Sequence, residues 1–175
     1  MTSGGIGRAK LPGRFVKILD LFTNAANLLG SCIIVFLICL ISFDVLGRNA
    51  FESPIPGVPE LVSLSIVAIV FLQAPKALLA GRMTRSDGVL NFIAERSPNT
   101  AKLLDTVFDL VGVAVILAIL YAHWPIMIKS WVRADFIGAV GNFTAPTFPV
   151  KAMLTIGAIL LTLQFIARIL RRYLD

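Results

Sequence analysis

Side chains that bind metals or act as nucleophiles are scarce in this sequence. It contains one histidine, His123, and two cysteines, Cys32 and Cys39. Haem sites commonly take two axial ligands, and zinc sites take a cluster of histidine, cysteine or carboxylate ligands. The two cysteines lie roughly 10 Å apart along one predicted helix, which is too far for a disulfide. Neither a phosphate-binding glycine loop nor a Ser-His-Asp arrangement is evident. We therefore expect no catalytic residue, no metal site and no cofactor in this chain.

Charged residues are also few, and they are missing from long stretches. Only 15% of the 175 residues are charged and 57% are hydrophobic, whereas soluble proteins are about 25% charged. No charged residue occurs between Asp20 and Asp44, and about 20 helical residues cross the ~30 Å hydrocarbon layer of a membrane. This composition excludes a soluble globular domain. It predicts one all-α membrane domain over residues 1–175, with four transmembrane helices at about 28–46, 60–80, 107–127 and 149–167.

The N-terminal segment is basic and rich in glycine, as in a secretory signal peptide. The apolar run after it is too long for a signal peptide and no A-x-A pattern follows, so we interpret it as an uncleaved anchor. Phe15, Ile18, Leu19 and Phe22 recur at helical spacing. They indicate either a short amphipathic helix on the membrane surface or a simple extension of the first span. A second apolar patch, residues 89–93, predicts another short surface helix.

Lysine and arginine are distributed unevenly between the two sides of the predicted spans. Twelve lie in the N-terminal segment, the end of the second span and the loop that follows it, and the C-terminus. Only four, Arg48, Lys129, Arg133 and Lys151, lie on the opposite side. Because cytoplasmic loops carry an excess of basic residues, this count predicts that both termini are cytoplasmic. Orientation in a membrane, rather than nucleic-acid binding, accounts for the net charge of +6.

Three polar residues near the turn between the first two spans are candidates for structural or partner contacts. Asp44 and Arg48 lie at i and i+4 on one helix face, in the order that favours an ion pair. Glu60 opens the second span after a turn that contains three prolines. We expect Arg48 to pair with Asp44 or Glu60 and fix this turn, or to face a partner protein; the alternative is that these interfacial charges simply face water.

Further candidates lie inside the spans and in the next loop. Gln73 and Gln164 are polar side chains within the second and fourth spans, and an amide in lipid usually finds a partner on a neighbouring helix. Arg82, Arg85 and Asp87 follow the second span. They are expected either to contact a partner on its cytoplasmic side or to set topology next to anionic lipid.

The third span carries two further features. Ala114, Ala118 and Ala122 repeat every four residues, which favours a seam for close helix packing. His123 lies beside Trp124 near the outer end of the span. An aromatic belt is typical of that level of the membrane, so we expect His123 to pack at the interface.

The predicted spans hold almost no ionisable residues. Asp44, Lys76 and Asp109 all lie within about two helical turns of a span end. A chain that moves ions or anions itself is expected to have charges or broken helices near the middle of the membrane. This distribution indicates a scaffold-like membrane protein that works with a partner.

Several stretches resemble one family of transporter subunits. The sequence ISFDVLGRNAFESPIPGVPEL, with Arg48, Phe51 and the Glu60-Leu61 pair, is similar to the small membrane subunit (Q-type, DctQ-like) of tripartite ATP-independent periplasmic, or TRAP, transporters. The likeness continues through ALLAGRMTRSDGVL and TAPTFPVK. Gly81 and Asp87 match the family pattern, whereas Met83 or a neighbour stands where family members carry a histidine.

The resemblance implies a division of labour among three proteins. A much larger multi-span membrane subunit would carry the substrate and sodium sites, and a soluble periplasmic protein would deliver an organic acid to it. This chain would brace the large subunit in a bacterial inner membrane, without an enzyme activity of its own. Two other functions stay open: a membrane-anchor subunit of a respiratory enzyme, and a small self-sufficient transporter.

Overall fold

The computed structural model describes residues 13–82, 98–138 and 144–174, and nearly all of them are helical. Four helices are long and apolar enough to cross a membrane, so the predicted all-α fold with four spans is confirmed. We number them in chain order: α1 (Gly13–Phe51), α2 (Val58–Leu79), α3 (Pro98–Arg133) and α4 (Phe148–Leu174).

The first helix is continuous over 39 residues. The amphipathic residues around Ile18 and the apolar run belong to one uninterrupted helix. Of the two alternatives, the structure therefore shows an extension of the first span. No proline occurs between Pro12 and Pro54, and proline is the residue that most strongly interrupts a helix. The second predicted surface helix, at residues 89–93, lies outside the described residues.

The third helix is longer than predicted at both ends. Its described part starts at Pro98, nine residues before the predicted span. It passes through Pro125 and ends at Arg133, six residues beyond the predicted span. Likewise, Pro75 lies inside α2 and is buried without ending that helix.

The fourth helix occupies the centre of the structure. It packs against α2 and α3 and touches α1 less, while α1 packs mainly on α2. Inside the most apolar stretch of each helix, 44% of α4 is buried but only 11% of α3. α1 and α3 therefore form the two flanks, and most of their apolar surface is left open to lipid or to another protein.

Two clusters of apolar side chains fill the contacts around α4. The larger one joins three helices and consists of Leu19, Ala26, Leu72, Leu160 and Ala167. The smaller one consists of Leu78, Leu161 and Phe165. Because lipid is as apolar as these side chains, close packing rather than removal from water stabilises such contacts in a membrane.

Glycines, not the predicted alanine seam, allow the closest helix contacts. A Cβ at Gly157 of α4 would overlap the backbone carbonyl of Phe71 on α2, so only glycine fits there. Ala114, Ala118 and Ala122 are exposed. The seam on α3 therefore mediates no packing within the described chain.

A short antiparallel strand pair closes the connection from α3 to α4. β1 (Phe136–Ile137) pairs with β2 (Ala145–Pro146), with Phe136 opposite Pro146. Next to it the rings of Trp131 and Phe148 lie with their centroids 4.4 Å apart. The sequence predicted a loop here and gave no sign of these strands, which are only two residues long.

Candidate functional site

The polar side chains gather at the two ends of the helices. The Arg48 end is formed by the C-terminal ends of α1 and α3 and the N-terminal ends of α2 and α4. The Arg172 end is formed by the opposite helix ends. Each end contains contacts that join consecutive or neighbouring helices, and we describe the Arg48 end first.

At the Arg48 end, Asp44 holds the loop that follows α1. One carboxylate oxygen accepts hydrogen bonds from the guanidinium of Arg48, at 2.9 Å from Nε and 2.8 Å from Nη2. The other oxygen accepts the backbone N–H of Ile55 at 2.8 Å. Asp44 is only 5% exposed. Its negative charge is compensated by Arg48, one helical turn away, and by the Ile55 N–H in the loop that follows α1. The predicted ion pair of Asp44 and Arg48 therefore forms.

The same loop folds back on the last turn of α1. The backbone N–H of Ser53 donates to the carbonyl of Gly47 at 3.2 Å, and a Cβ at Gly47 would lie 2.9 Å from the Ser53 carbonyl. Glu60 is half-buried in the first turn of α2, where its negative charge interacts favourably with the positive end of the helix dipole. Among the described residues Arg48 pairs with Asp44 and not with Glu60.

Polar contacts also fasten α3 to α4 at the Arg48 end. The Ser130 and Thr147 hydroxyls lie 2.8 Å apart, and Thr147 donates from both its hydroxyl and its N–H to the Asp135 carbonyl. Lys151 pairs with the Asp135 carboxylate at 3.6 Å. His123 Nε2 lies 3.2 Å from the Lys151 carbonyl oxygen, so this histidine links α3 to α4.

At the Arg172 end, a buried carboxylate on α3 meets two arginines of α4. Asp109 has no exposed surface. Its oxygens lie 2.9 Å from Nη2 of Arg172 and 3.8 Å from Nη1 of Arg168. Arg172 also lies 3.5 Å from the carboxylate of Asp105. Several partners are required because an ion buried without them is costly.

Thr106 extends this cluster to the end of the chain. Its hydroxyl accepts a hydrogen bond from Nη1 of Arg172 at 3.0 Å and lies 3.2 Å from the hydroxyl of Tyr173. We call Asp105, Thr106, Asp109, Arg168 and Arg172 the α3–α4 ion cluster. It fixes the first turns of α3 to the last turns of α4.

Gln164 joins α4 to α1 beside this cluster. Its amide donates to the hydroxyl of Thr23 at 2.9 Å and to a carboxylate oxygen of Asp20 at 3.3 Å. Gln164 is 2% exposed and Thr23 is completely buried. Asp20 also lies 3.5 Å from Nη2 of Arg171. The structure thus places the Gln164 amide against a neighbouring helix, as its position in the span predicts.

The remaining predicted residues have fewer contacts. Gln73 lies against Gly30 of α1, and its amide makes no hydrogen bond with the part of the chain that the structure describes. Arg82 is exposed just after α2. Arg85 and Asp87 lie outside the described residues, as does Met83.

Sequence reasoning missed the α3–α4 ion cluster. It treated Asp109 only as a residue near a span end. A signal was present, because Asp105 and Asp109 are four residues apart, as are Arg168 and Arg172. Such spacing puts each pair on one helix face. What it does not give is which helix faces which.

The arrangement is suited to holding helices together. Within residues 13–82, 98–138 and 144–174, no group of three or more histidine, cysteine, aspartate or glutamate side chains is placed to bind a metal ion. The polar side chains instead pair across helix ends, while Cys32 and Cys39 are exposed on the apolar surface of α1.

Comparison with protein-family models matches residues 37–175 to the DctQ component of the tripartite ATP-independent periplasmic transporters. The match covers well over half of the chain. The chain belongs to the DctQ family. No individual curated protein matches it.

As a DctQ protein, the chain is a small membrane subunit of a TRAP transporter, and the family is a transporter component rather than a family of enzymes. DctQ proteins in general associate with the large TRAP subunit and a periplasmic binding protein. The matched region contains the Asp44 loop and the α3–α4 ion cluster, whereas Asp20 and Thr23 precede it.

Proposed function

We propose that this DctQ subunit braces the large membrane subunit of its transporter in a bacterial inner membrane. The large subunit would carry the substrate and the coupling ion, expected to be sodium. A periplasmic binding protein would deliver an organic acid, and an ion gradient would drive uptake. The DctQ chain would supply a rigid packing surface for the large subunit and would bind no cofactor itself.

The observation that carries this proposal is where the charges lie. In α1, α2 and α4 the acidic and basic side chains fall near the two ends, and Asp109, eleven residues after the start of α3, is paired with Arg172. Within α1 none lies between Asp20 and Asp44, and within α4 none lies between Lys151 and Arg168. A path for an ion or an organic anion is expected to contain ionisable groups or broken helices at mid-membrane. The ends are tied by paired charges, which favours a body that keeps its shape while another subunit moves.

The open flanks support the same proposal. α1 and α3 expose many large apolar side chains, such as Phe36 and Ile38 on α1 and Phe108 and Val111 on α3. Both helices leave more surface uncovered than α4 does. A multi-span partner subunit with an apolar surface would pack against these exposed helices, and lipid would cover the rest of their surface.

Reconstitution tests the proposed division of labour. The large subunit is purified with and without this chain, and both preparations are placed in vesicles with an imposed sodium gradient. We expect uptake of an organic acid bound by the periplasmic protein only when all three proteins and the gradient are present. Uptake by vesicles that hold this chain alone would overturn the proposal and favour a self-sufficient transporter.

Orientation is tested by cysteine labelling in intact cells whose outer membrane is permeabilised. Cys32 and Cys39 are first replaced by alanine to remove the background. Ser53→Cys, in the exposed loop after α1, is expected to react with a membrane-impermeant maleimide. Lys17→Cys, exposed near the start of α1, is expected to react only after the cells are lysed. The reverse pattern would place both termini in the periplasm and contradict the basic-residue count.

A further inference from the structure

A half-open cavity of about 130 Å³ lies at the Arg172 end, between the C-terminal ends of α2 and α4. Two leucines of α2 and Gly81 supply an apolar wall, and α4 supplies an amide and two guanidinium groups. The lining residues are Leu78, Leu79, Gly81, Gln164, Arg168 and Arg171. At about 30 Å³ for each water in the liquid, this space has room for roughly four waters or for one phosphate-sized group.

Arg171, which lines this cavity, has a guanidinium nitrogen that lacks a hydrogen bond. Nη2 of Arg171 is buried and has no hydrogen-bond partner among the described residues. The nearest carboxylate oxygen, on Asp20, is 3.5 Å away, and that oxygen also receives the Gln164 amide at 3.3 Å. A good N–H···O hydrogen bond is about 2.7–3.2 Å long. A buried donor without an acceptor costs free energy, so an oxygen supplied by a ligand would be favoured here.

The surrounding charge has the sign that attracts an anion. Seven basic side chains and three acidic ones are described at the Arg172 end. The basic residues are Lys17, Lys76, Arg82, Lys102, Arg168, Arg171 and Arg172, and the acidic ones are Asp20, Asp105 and Asp109. The three aspartates lie against the arginines of α4. An excess of positive charge is left at the level where helix ends meet the lipid headgroups.

We propose that this cavity binds the phosphate group of an anionic phospholipid. The guanidinium groups of Arg171 and Arg168 would face the phosphate oxygens, since a planar guanidinium matches phosphate geometry. Leu79, which is only partly buried, would lie along the apolar part of the same lipid, which distinguishes this ligand from free phosphate. The inference depends neither on the large subunit nor on which leaflet the site faces, so its failure would leave the proposed function standing.

Native mass spectrometry of the purified full-length chain tests this. The chain is incubated with phosphatidylglycerol, with phosphatidylcholine, or with inorganic phosphate, and the molecules that stay bound are counted. We expect preferential retention of phosphatidylglycerol. Arg171→Gln should weaken retention about tenfold, because it removes the charge-assisted hydrogen bonds from this guanidinium to the phosphate. Leu79→Trp, which fills the cavity and keeps every charge, should weaken it as well.

Lys17→Gln is the matched control, because it removes one exposed positive charge from the same end of the molecule. It should retain phosphatidylglycerol like the unchanged chain. Circular dichroism shows whether each variant is folded. If Arg171→Gln disturbs the fold through Asp20, Leu79→Trp still tests the site, because it changes no charged residue. Equal retention of both lipids, equal loss in Lys17→Gln and Arg171→Gln, or full retention by Leu79→Trp would overturn the proposal. Binding of inorganic phosphate in place of lipid would overturn the lipid assignment.

Discussion

Asp109 on α3 and Arg172 on α4 form an ion pair of 2.9 Å whose carboxylate has no exposed surface. This pair matters for α3 in particular, because α3 has the least buried apolar stretch of the four helices, at 11%. Few apolar contacts hold its first turns in place. The α3–α4 ion cluster therefore provides much of the attachment between the start of α3 and the end of α4.

Asp109→Asn is expected to lower the stability of the chain markedly. The amide keeps the shape of the side chain but leaves Arg172 partly buried without its closest negative charge. Breaking a buried ion pair from one side typically costs about 3–5 kcal/mol. Thermal unfolding of the purified chain in detergent, followed by circular dichroism, should show a clear fall in Tm.

Asp105→Asn is the control for that measurement. Asp105 lies 3.5 Å from the same arginine, but its side chain is 29% exposed. A longer and only partly buried pair contributes less than a short, fully buried one, so a smaller change in Tm than for Asp109→Asn is expected. Equal changes for the two variants would contradict the distinction between a fully buried and a partly buried carboxylate.

Gly157→Ala is expected to destabilise the contact between α2 and α4. In an isolated helix alanine is favoured over glycine by about 1 kcal/mol. Here the added methyl group would overlap the Phe71 carbonyl, which is backbone and cannot move without shifting a helix. Overpacking of this kind costs about 1–3 kcal/mol, so Tm should fall where helix propensity alone would raise it.

Gly112→Ala provides a graded comparison for Gly157→Ala. Its new Cβ would lie 2.9 Å from the ring of Phe165, a side chain that can rotate away. We expect a smaller loss of stability than at Gly157. A rise in Tm for Gly157→Ala would show that the two helices separate easily and that their close approach is not required.

The features that were predicted correctly depend on residues close together in sequence. The four spans follow from the lengths of apolar runs, and the Asp44–Arg48 pair follows from i,i+4 spacing on one helix. The contact of Asp109 with Arg172 depends instead on α3 lying beside α4, and no single-sequence pattern orders helices in that way. For the same reason the alanine repeat on α3 was taken as a packing seam, whereas Gly157 provides the close contact within the chain.

Asp44→Ala is expected to release the loop between α1 and α2. The substitution removes the acceptor of the Ile55 N–H and the partner of Arg48. A hydrogen bond to a charged group contributes about 1.5–3 kcal/mol, so exchange of the Ile55 amide should quicken by about tenfold or more. Hydrogen–deuterium exchange with mass spectrometry measures this on a peptide that covers residues 52–57.

Asp44→Asn separates the two roles of that carboxylate. Asparagine retains an oxygen that can accept the Ile55 N–H but loses the charge that pairs with Arg48. Exchange in the loop should be slower than in Asp44→Ala and faster than in the unchanged chain. Amides in the middle of α4 should be unaffected in both variants. Unchanged loop exchange in Asp44→Ala would show that the prolines alone hold the loop.

Gln164→Leu is expected to weaken the contact between α1 and α4 by about 1 kcal/mol, because the completely buried Thr23 hydroxyl then loses its amide donor. Gln73→Leu is the matched control, since the Gln73 amide makes no hydrogen bond with the described residues, and its effect should stay within about 0.5 kcal/mol.

Adding Thr23→Val to Gln164→Leu removes the second polar partner, and replacing both partners by apolar groups is often nearly neutral. The double variant should therefore unfold at a higher temperature than additivity predicts, whereas strictly additive losses would mean that the two side chains are not coupled.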